Sequence, residues 1–517
     1  MATLIRIVPK EYRDSVSLMQ LSAMLSKLPG VEQASAVMAT ENNLSLLAEA
    51  GFVVGTIDAS ASDLVIVVQG DESALSAAAE EAVESLTRQA SDADGEARAA
   101  IRPRNIQMAL DEAGPCNMAL ISTPGEYAAA EALKALRLGL NVMLFSDNVA
   151  EHDELLLKQF ASSRGLIVMG PDCGTAIVDG IPLAFANVVK RGGIGAVGAS
   201  GTGLQEITVL IDRLGQGISQ AFGTGGRDLH QEIGGISMLA GLRDLAADPV
   251  TKVIVLVSKP PAPEVAQCVL DEAKKAGKPV VVNFLGADPA KISHHNLYGV
   301  KTLEDAARAA VALIKGEKPR QDYSEVAVAP IGGHALKTSQ RYIRGLFSGG
   351  TFCYEAALLL DEQLTDVYSN TPPRPAAALV DLWQSHHHTL IDLGDDVFTR
   401  GRPHPMIDYR LRNERMVKEA EDPQTAVILL DVVLGYGSNA DPAAEIIPAM
   451  RRALDNASAE GRHIFFVGHV CGTDADPQNL SRQVRALTDA GMILTESNAQ
   501  AVRLAASLVV SREPQRK

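Results

Sequence analysis

Aromatic side chains make up only 4% of this 517-residue chain, with a single tryptophan, and cysteine occurs five times. Cys116, Cys173, Cys268, Cys353 and Cys471 are odd in number, widely spaced and include no CxxC pair. That excludes a disulfide framework and a zinc knuckle and fits a reducing, cytoplasmic setting. No apolar run approaches the ~18 residues of a membrane span, and the opening MATLIRIVPKEYRDS places arginine and lysine inside a short β-like run, so neither secretion nor anchoring is expected. Basic residues are scarce as well: the formal net charge is -16, spread along the chain, and repels polyanions such as nucleic acid. A P-loop pattern is absent, His386 to His388 lack the further ligands a metal site needs, and no tightly bound cofactor is expected.

What is present is 46% hydrophobic residues and 43 glycines over a length that suggests three or four units of α/β type. The first hundred residues read as a small βαβ-type unit, with strands at Leu4 to Val8, Val31 to Met38 and Leu64 to Val68 and a helix over Ser15 to Leu28. The polar run Ser91 to Ala99 reads as a linker. From Asn117 onward, five-residue apolar runs alternate with helical stretches across Gly or Pro turns. That is the pattern of a parallel sheet whose ligands lie beyond the carboxyl ends of its strands. The turns Ser122 to Gly125, Ser146 to Asn148 and Pro171 to Gly174 all fall at that edge.

The rest of the chain repeats itself. IGAVGASGTGLQEI, FGTGGRD and LRDLAADPVTKVIVLV are followed in the same order by IRGLFSGGTFCYEAALLL, LIDLGDDVFTRG and VKEAEDPQTAVILLDVV. The expected architecture is therefore a small unit (1–100), a Rossmann-like domain (101–190) and two flavodoxin-like modules (191–325 and 340–517). The insertion QLTDVYSNTPPRPAAALVDLWQSHHH reads as a surface loop of the second module. The GxGxxG at Gly193 to Gly198 falls within a strand, which argues against a dinucleotide fingerprint.

The succession Ser122 to Ala128, Phe145 to Asn148, GPDCG, GASGTG and GTGGRD resembles the α subunit of succinyl-CoA synthetase over about Asn117 to Phe284, with a partner-type CoA-ligase domain fused behind it. GPDCGT, GASGTG, SKPP, GDDVFTRGRPHPMID and LLDVVLGYG together are similar to the FdrA family over nearly the whole chain. The resemblance implies acyl-group transfer through phosphate chemistry. Two helix starts would bind the anion, Ser200, Gly201 and Thr202 in one module and Ser348, Gly349, Gly350 and Thr351 in the other. CoA-contacting turns would be formed by Thr123, Pro124, Phe145, Ser146, Asn148, Pro171 and Cys173. The two helix starts also stand on general grounds, since glycine turns admit close approach and the first helical N–H groups and the helix dipole favour an anion.

Two features set the sequence apart from the synthetase pattern. The first hundred residues have no Gly-rich strand-to-helix turn, and no GHAG phosphohistidine motif follows Gly277 to Val282. His294 and His295 stand there instead, and a GGHA occurs at Gly332 to Ala335. A further polar cluster, Asp395, Asp396, Arg400, Arg402, His404 and Asp408, offers arginines to orient a carboxylate or phosphate and a histidine for proton transfer near neutral pH, with Arg227 and Asp228 as its counterpart in the first module.

Three functions remain open. One is a subunit of an NDP-forming acyl-CoA ligase using CoA and phosphate. Another is a subunit of a carbamoyltransferase that moves the group between carbamoyl phosphate and a small acid such as oxamate, a role linked to the FdrA family in purine-nitrogen catabolism. The third is a non-catalytic scaffold. The expected partners are a small carboxylate or acyl phosphate, further subunits that would bring any nucleotide site, and copies of the same chain.

Overall fold

The computed structural model describes residues 2–52, 57–93, 103–320, 323, 336–400 and 402–510. At the N-terminus β1 (Ala2–Val8), α1 (Ser15–Leu25), β2 (Val31–Met38), α2 (Glu41–Glu49), β3 (Leu64–Gly70) and α3 (Glu72–Ala93) form a separate small unit. Asp14 caps α1 by accepting from Ser17 N, and Thr40 caps α2 in the same way from Asn43 N. The all-apolar run LVIVV makes β3 the central strand, buried on both faces and antiparallel to both neighbours in the order β1-β3-β2. This corrects the βαβ expectation: β1 and β2 run the same way, but β3 separates them. The expected linker starts inside α3, which continues to Ala93; its remainder lies outside the described residues.

A second unit follows with α4 (Ile106–Ala113), β4 (Met118–Ile121), α5 (Gly125–Arg137), β5 (Asn141–Leu144), α6 (Glu151–Ser162) and β6 (Val168–Met169), the strands forming a three-stranded parallel sheet. The chain then makes a hairpin, β7 (Thr175–Val178) and β8 (Ile181–Ala184), which pairs antiparallel with the next module's sheet. The boundary placed at 190 thus falls too late, because the hairpin lies before it in sequence and beyond it in space.

The first module comprises β9 (Arg191–Ala199), α7 (Gly201–Arg213), β10 (Ile218–Gly223), α8 (Ile236–Ala247), β11 (Val253–Ser258), α9 (Pro263–Ala273), β12 (Val280–Phe284), α10 (Pro289–Ile292), β13 (Leu297–Gly299) and α11 (Leu303–Ile314). Its parallel strands run in the order β13-β12-β11-β9-β10, which is the flavodoxin-like arrangement. The glycines of Gly193 to Gly198 serve packing inside β9. A Cβ at Gly198 would stand 2.7 Å from Leu204 and Val257, and one at Gly195 2.7 Å from Leu245.

The second module repeats this plan with β14 (Tyr342–Phe347), α12 (Gly350–Asp361), β15 (Val367–Ser369), β16 (His388–Asp392), α13 (Asp396–Thr399), α14 (Arg410–Glu421), β17 (Thr425–Val433), α15 (Pro442–Ala459), β18 (Phe465–Cys471), α16 (Leu480–Asp489), β19 (Ile493–Thr495) and α17 (Asn498–Val509). Its order is β15-β16-β14-β17-β18-β19, all parallel, so β14, β16, β17, β18 and β19 stand where β9, β10, β11, β12 and β13 do. The insertion is more than a surface loop, since it supplies the edge strand β15 and ends in β16. His388 opens β16 fully buried, its Nδ1 accepting from Ile343 N at 3.1 Å.

One hydrophobic cluster runs through both modules, from Ile194, Leu204 and Val255 to Phe352, Val427 and Val502. The second unit is fixed to the first module by Lys158, which is fully buried and donates to Glu154 at 2.8 Å, Asp228 at 2.7 Å and Thr224 O at 3.0 Å. Asp228 also accepts from Ser237 N and Met238 N at the start of α8, so the acid of the GTGGRD turn is structural. Among the described residues no helix is long and apolar enough to cross a membrane, and no group of three or more His, Cys, Asp or Glu side chains could hold a metal ion.

Candidate functional site

The central strands β9 and β14 end in glycine turns that bring two helix starts into contact. Ser200 caps α7 by accepting from Gly203 N at 3.0 Å, and its Oγ lies 2.6 Å from Thr351 Oγ1 at the start of α12. A Cβ at Gly349 would stand 2.8 Å from Thr202 Cγ2, so only glycine permits this approach. The first N–H groups of a helix have no intrahelical acceptor, and Gly349 supplies no side-chain cap to α12. Gly201, Thr202, Gly350 and Thr351 therefore present donors and two dipoles to one place.

Ser348 and Gly349 do not fit the anion-binding role expected of them. Their N–H groups donate to Asp431 at 2.8 and 2.9 Å, Ser348 Oγ donates to the same carboxylate at 2.9 Å, and Arg412 holds it from behind at 2.8 Å. A buried internal carboxylate already satisfies this half of the turn.

Lys259, directly after β11, brings its Nζ to 3.2 Å from where a Gly350 Cβ would be, with Asp392 Oδ2 closer still. Burial, partly offset by Lys259, pushes the Asp392 carboxyl up to about 6. Asp172, an exposed residue of the β6–β7 turn, faces the same cavity, and desolvation of its carboxyl by the cavity wall together with Asp147 and Asp396 pushes it up to about 7. Neither Lys259 nor the two carboxyl groups were singled out individually from the sequence, although SKPP, the Pro171 to Gly174 turn and LIDLGDD contain them. The available signal was their position at the carboxyl edge, Asp392 ending β16, Lys259 one residue beyond β11 and Asp172 three beyond β6.

These groups line a cavity of about 630 Å³. Phe145, Ser146, Asn148, Pro171 and Cys173 share its wall, whereas Pro124 lines a second, adjoining cavity and Thr123 lines neither. The β4 turn is packed tightly on the β5 turn, where a Cβ at Gly125 would meet Asn148 O at 2.7 Å and Ser146 Oγ donates to Thr123 O at 2.5 Å. Ser122 Oγ and Thr123 Oγ1 are buried there without a partner. Cys173 is 1% exposed, its Sγ donates to Gly223 O at 3.3 Å, and burial pushes the thiol up to about 12, so it packs rather than reacts.

The polar cluster of the second module is divided by the fold. His404 and Asp396 line the cavity, while Arg400 and Arg402 line the adjoining one together with Asp396. Asp395 caps α13 by accepting from Val397 N at 3.0 Å, and Asp408 is taken up by Arg410 at 2.6 Å. His404 departs from the acid or base role expected near neutral pH. Burial lowers it to about 4, and Nδ1 accepts from Met406 N at 3.2 Å, which assigns the proton to Nε2 and makes the ring a neutral donor. The rings of His294 and His295 lie 4.0 Å apart, tilted by 54°, in exposed positions outside the cavity lining, and the GGHA segment lies outside the described residues.

Two stretches of the chain match families of CoA enzymes. The CoA-ligase family matches residues 346–508 and the CoA binding domain family residues 189–286, on the first module rather than on 101–190. The N-terminal unit matches the family described as AllF, heavy metal-associated domain, over residues 1–103. The Escherichia coli (strain K12) protein called "Uncharacterized protein YahF" is 44% identical over 518 residues, covering 99% of this chain and 100% of that one. The chain belongs to the same family as that protein. The mitochondrial succinate–CoA ligase [ADP-forming] subunit alpha-2 of Trichomonas vaginalis is 27% identical over 183 residues, 33% of this chain and 57% of that subunit. The crystal structure of PH0766 from Pyrococcus horikoshii aligns over 81% of this chain and 88% of its own at 14% identity, with a TM-score of 0.36.

Proposed function

We propose that this chain is the subunit of an FdrA-type, NDP-forming acyl-CoA ligase that holds a phosphoryl or acyl-phosphate group between the starts of α7 and α12. The observation that carries this reading is the 2.6 Å contact between Ser200 and Thr351, which aims the free N–H groups of two helices at one point beside Lys259. Backbone donors and an ammonium group placed in advance would stabilise the charge that develops on a transferring phosphoryl group. His404 Nε2–H adds a neutral donor, and the Asp172 and Asp392 carboxyls, raised to about 7 and about 6, can hold or release a proton near neutral pH. The family matches and the succinate–CoA ligase relative support a CoA-dependent reaction.

CoA as acyl acceptor fits the turns after β4 to β6, where Ser122 Oγ and Thr123 Oγ1 are buried polar groups without a partner. Pro124, Phe145, Ser146, Asn148 and Pro171 would hold it there, and its thiol would take the activated acyl group. A nucleotide would come from a partner subunit, in keeping with the absence of a P-loop from this sequence.

A second reading uses the same anion site. His294 and His295 are not among the residues that line the cavity, and transfer of a carbamoyl group from carbamoyl phosphate to a small acid needs neither phosphohistidine nor CoA. Calorimetric titration of the chain with inorganic phosphate, CoA and carbamoyl phosphate separates the two. Saturable CoA binding that Thr123→Glu abolishes is expected of the ligase; carbamoyl phosphate binding without CoA would replace it with the transferase.

A further inference from the structure

The N-terminal unit matches a heavy metal-associated domain family, yet residues 1–103 contain neither cysteine nor histidine. Soft metal ions are held by thiolate, imidazole and thioether, and of these the unit offers only methionine thioethers, so its donors do not fit such an ion. What the unit has instead is a position. Tyr12 Oη donates to Ser122 O at 3.2 Å, and Lys27 pairs with Glu445 on α15, which seats the unit over the carboxyl edge of the second unit and against the second module.

Between them lies the adjoining cavity, of about 530 Å³. Its walls come from α1 and β2, from the turns carrying Pro124 and Asn148, and from the loop after α13. Met19, Asp147, Asn148, Asp396 and Thr399 line both cavities, so the two are neighbouring chambers of one site. The second chamber has its own set of cations, Arg13 of the N-terminal unit and Arg400 and Arg402 of the second module, which face the acids Glu126, Asp147 and Asp396 across it. Arg13 is held in place by Leu86 O at 3.2 Å and Glu11 at 2.7 Å, while its Nε is buried without a partner. A guanidinium fixed in this way, with a donor left over, is matched by a carboxylate.

We propose that the N-terminal unit, through Arg13 and together with Arg402, forms a chamber that binds a small organic acid by its carboxylate, next to the anion site at the helix starts. The proposal adds a substrate subsite to the function inferred above and rests on that reading only for what the acid meets in the first chamber.

The test is calorimetry on the full chain with malonate as the acid, malonamide as its neutral analogue, and inorganic phosphate as the probe of the helix starts. Malonate is expected to bind saturably and malonamide not at all. Arg13→Gln and Arg402→Gln should each weaken malonate at least tenfold while leaving phosphate affinity within twofold. Arg402 lies on a partly exposed loop, so Arg402→Gln decides the matter if Arg13→Gln fails to fold. The proposal is overturned if wild type shows no saturable malonate binding, if neither substitution changes it, or if phosphate competes malonate off, which would place the acid at the helix starts. Loss of phosphate binding with malonate binding intact would instead strike the phosphate reading alone.

Discussion

Lys259→Met offers the sharpest perturbation of the anion site, because it removes a charge while keeping most of the side-chain length. An anion bound by Gly350 and Thr351 N–H would sit roughly 5 Å from Nζ, and two unit charges at that separation attract by ~3 kcal/mol at an effective dielectric of about 20. Lys259 is partly exposed, and solvent screening brings this down to ~1.5 kcal/mol for a monoanion, with the second charge of a phosphate dianion adding to it. The expected outcome is a 10- to 100-fold rise in the Kd for inorganic phosphate, measured by calorimetry at fixed ionic strength, with Lys259→Arg close to wild type. An unchanged Kd in Lys259→Met, with the fold intact by circular dichroism, would refute the placement of the anion between the two helices.

Lys158→Met should cost about 3 kcal/mol, since it removes the buried ammonium shared by Glu154 and Asp228 and leaves them only Arg227 and the N–H groups of α8; chemical denaturation would show it, and so would faster amide exchange at the start of α8. Sulfate, whose charge is constant over the range, should bind more tightly as pH falls from 8 to 6. Asp172 and Asp392 take up protons at about 7 and about 6 and so remove negative charge from the cavity, and Asp172→Asn should flatten the upper half of that profile. The same raised pKa values mean that the folded state holds these protons more firmly than the unfolded one, so their contribution to stability is largest below pH 4 and declines as pH rises through 7. Alkylation of the native chain should label Cys116 and Cys268 and spare Cys173, Cys353 and Cys471, as peptide mass mapping would reveal; labelling of Cys173 would contradict its burial.

The repeat was legible because strand, glycine turn and helix are local patterns, and β14 to β19 reproduce β9 to β13 strand for strand once β15 is set aside. The two helix starts were legible for the same reason. Their partition was not. That Asp431, some eighty residues downstream, occupies the N–H groups of Ser348 and Gly349 is a tertiary fact with no local signature. Lys259 was hidden by distance of another kind: SKPP is one of the phrases that carry the family resemblance, but it states no role for its lysine, and only the folded sheet brings that lysine to the foot of α12. His404 sits in a run of charged residues that suggests proton transfer near neutral pH, whereas desolvation of the ring in the fold lowers its pKa. The hairpin β7–β8 was misplaced because antiparallel pairing onto β10 is decided by which edge is free, and the residues of the hairpin do not state that.

The single hydrophobic cluster spanning both modules bears on how the molecule can come apart. Each module also has a cluster of its own, but the shared one is buried only while both are present, so a chain cut once between the modules would hold together, and each half made alone would expose the surface that should bury the other. The N-terminal unit differs in that its hydrophobic clusters are separate from those of the modules.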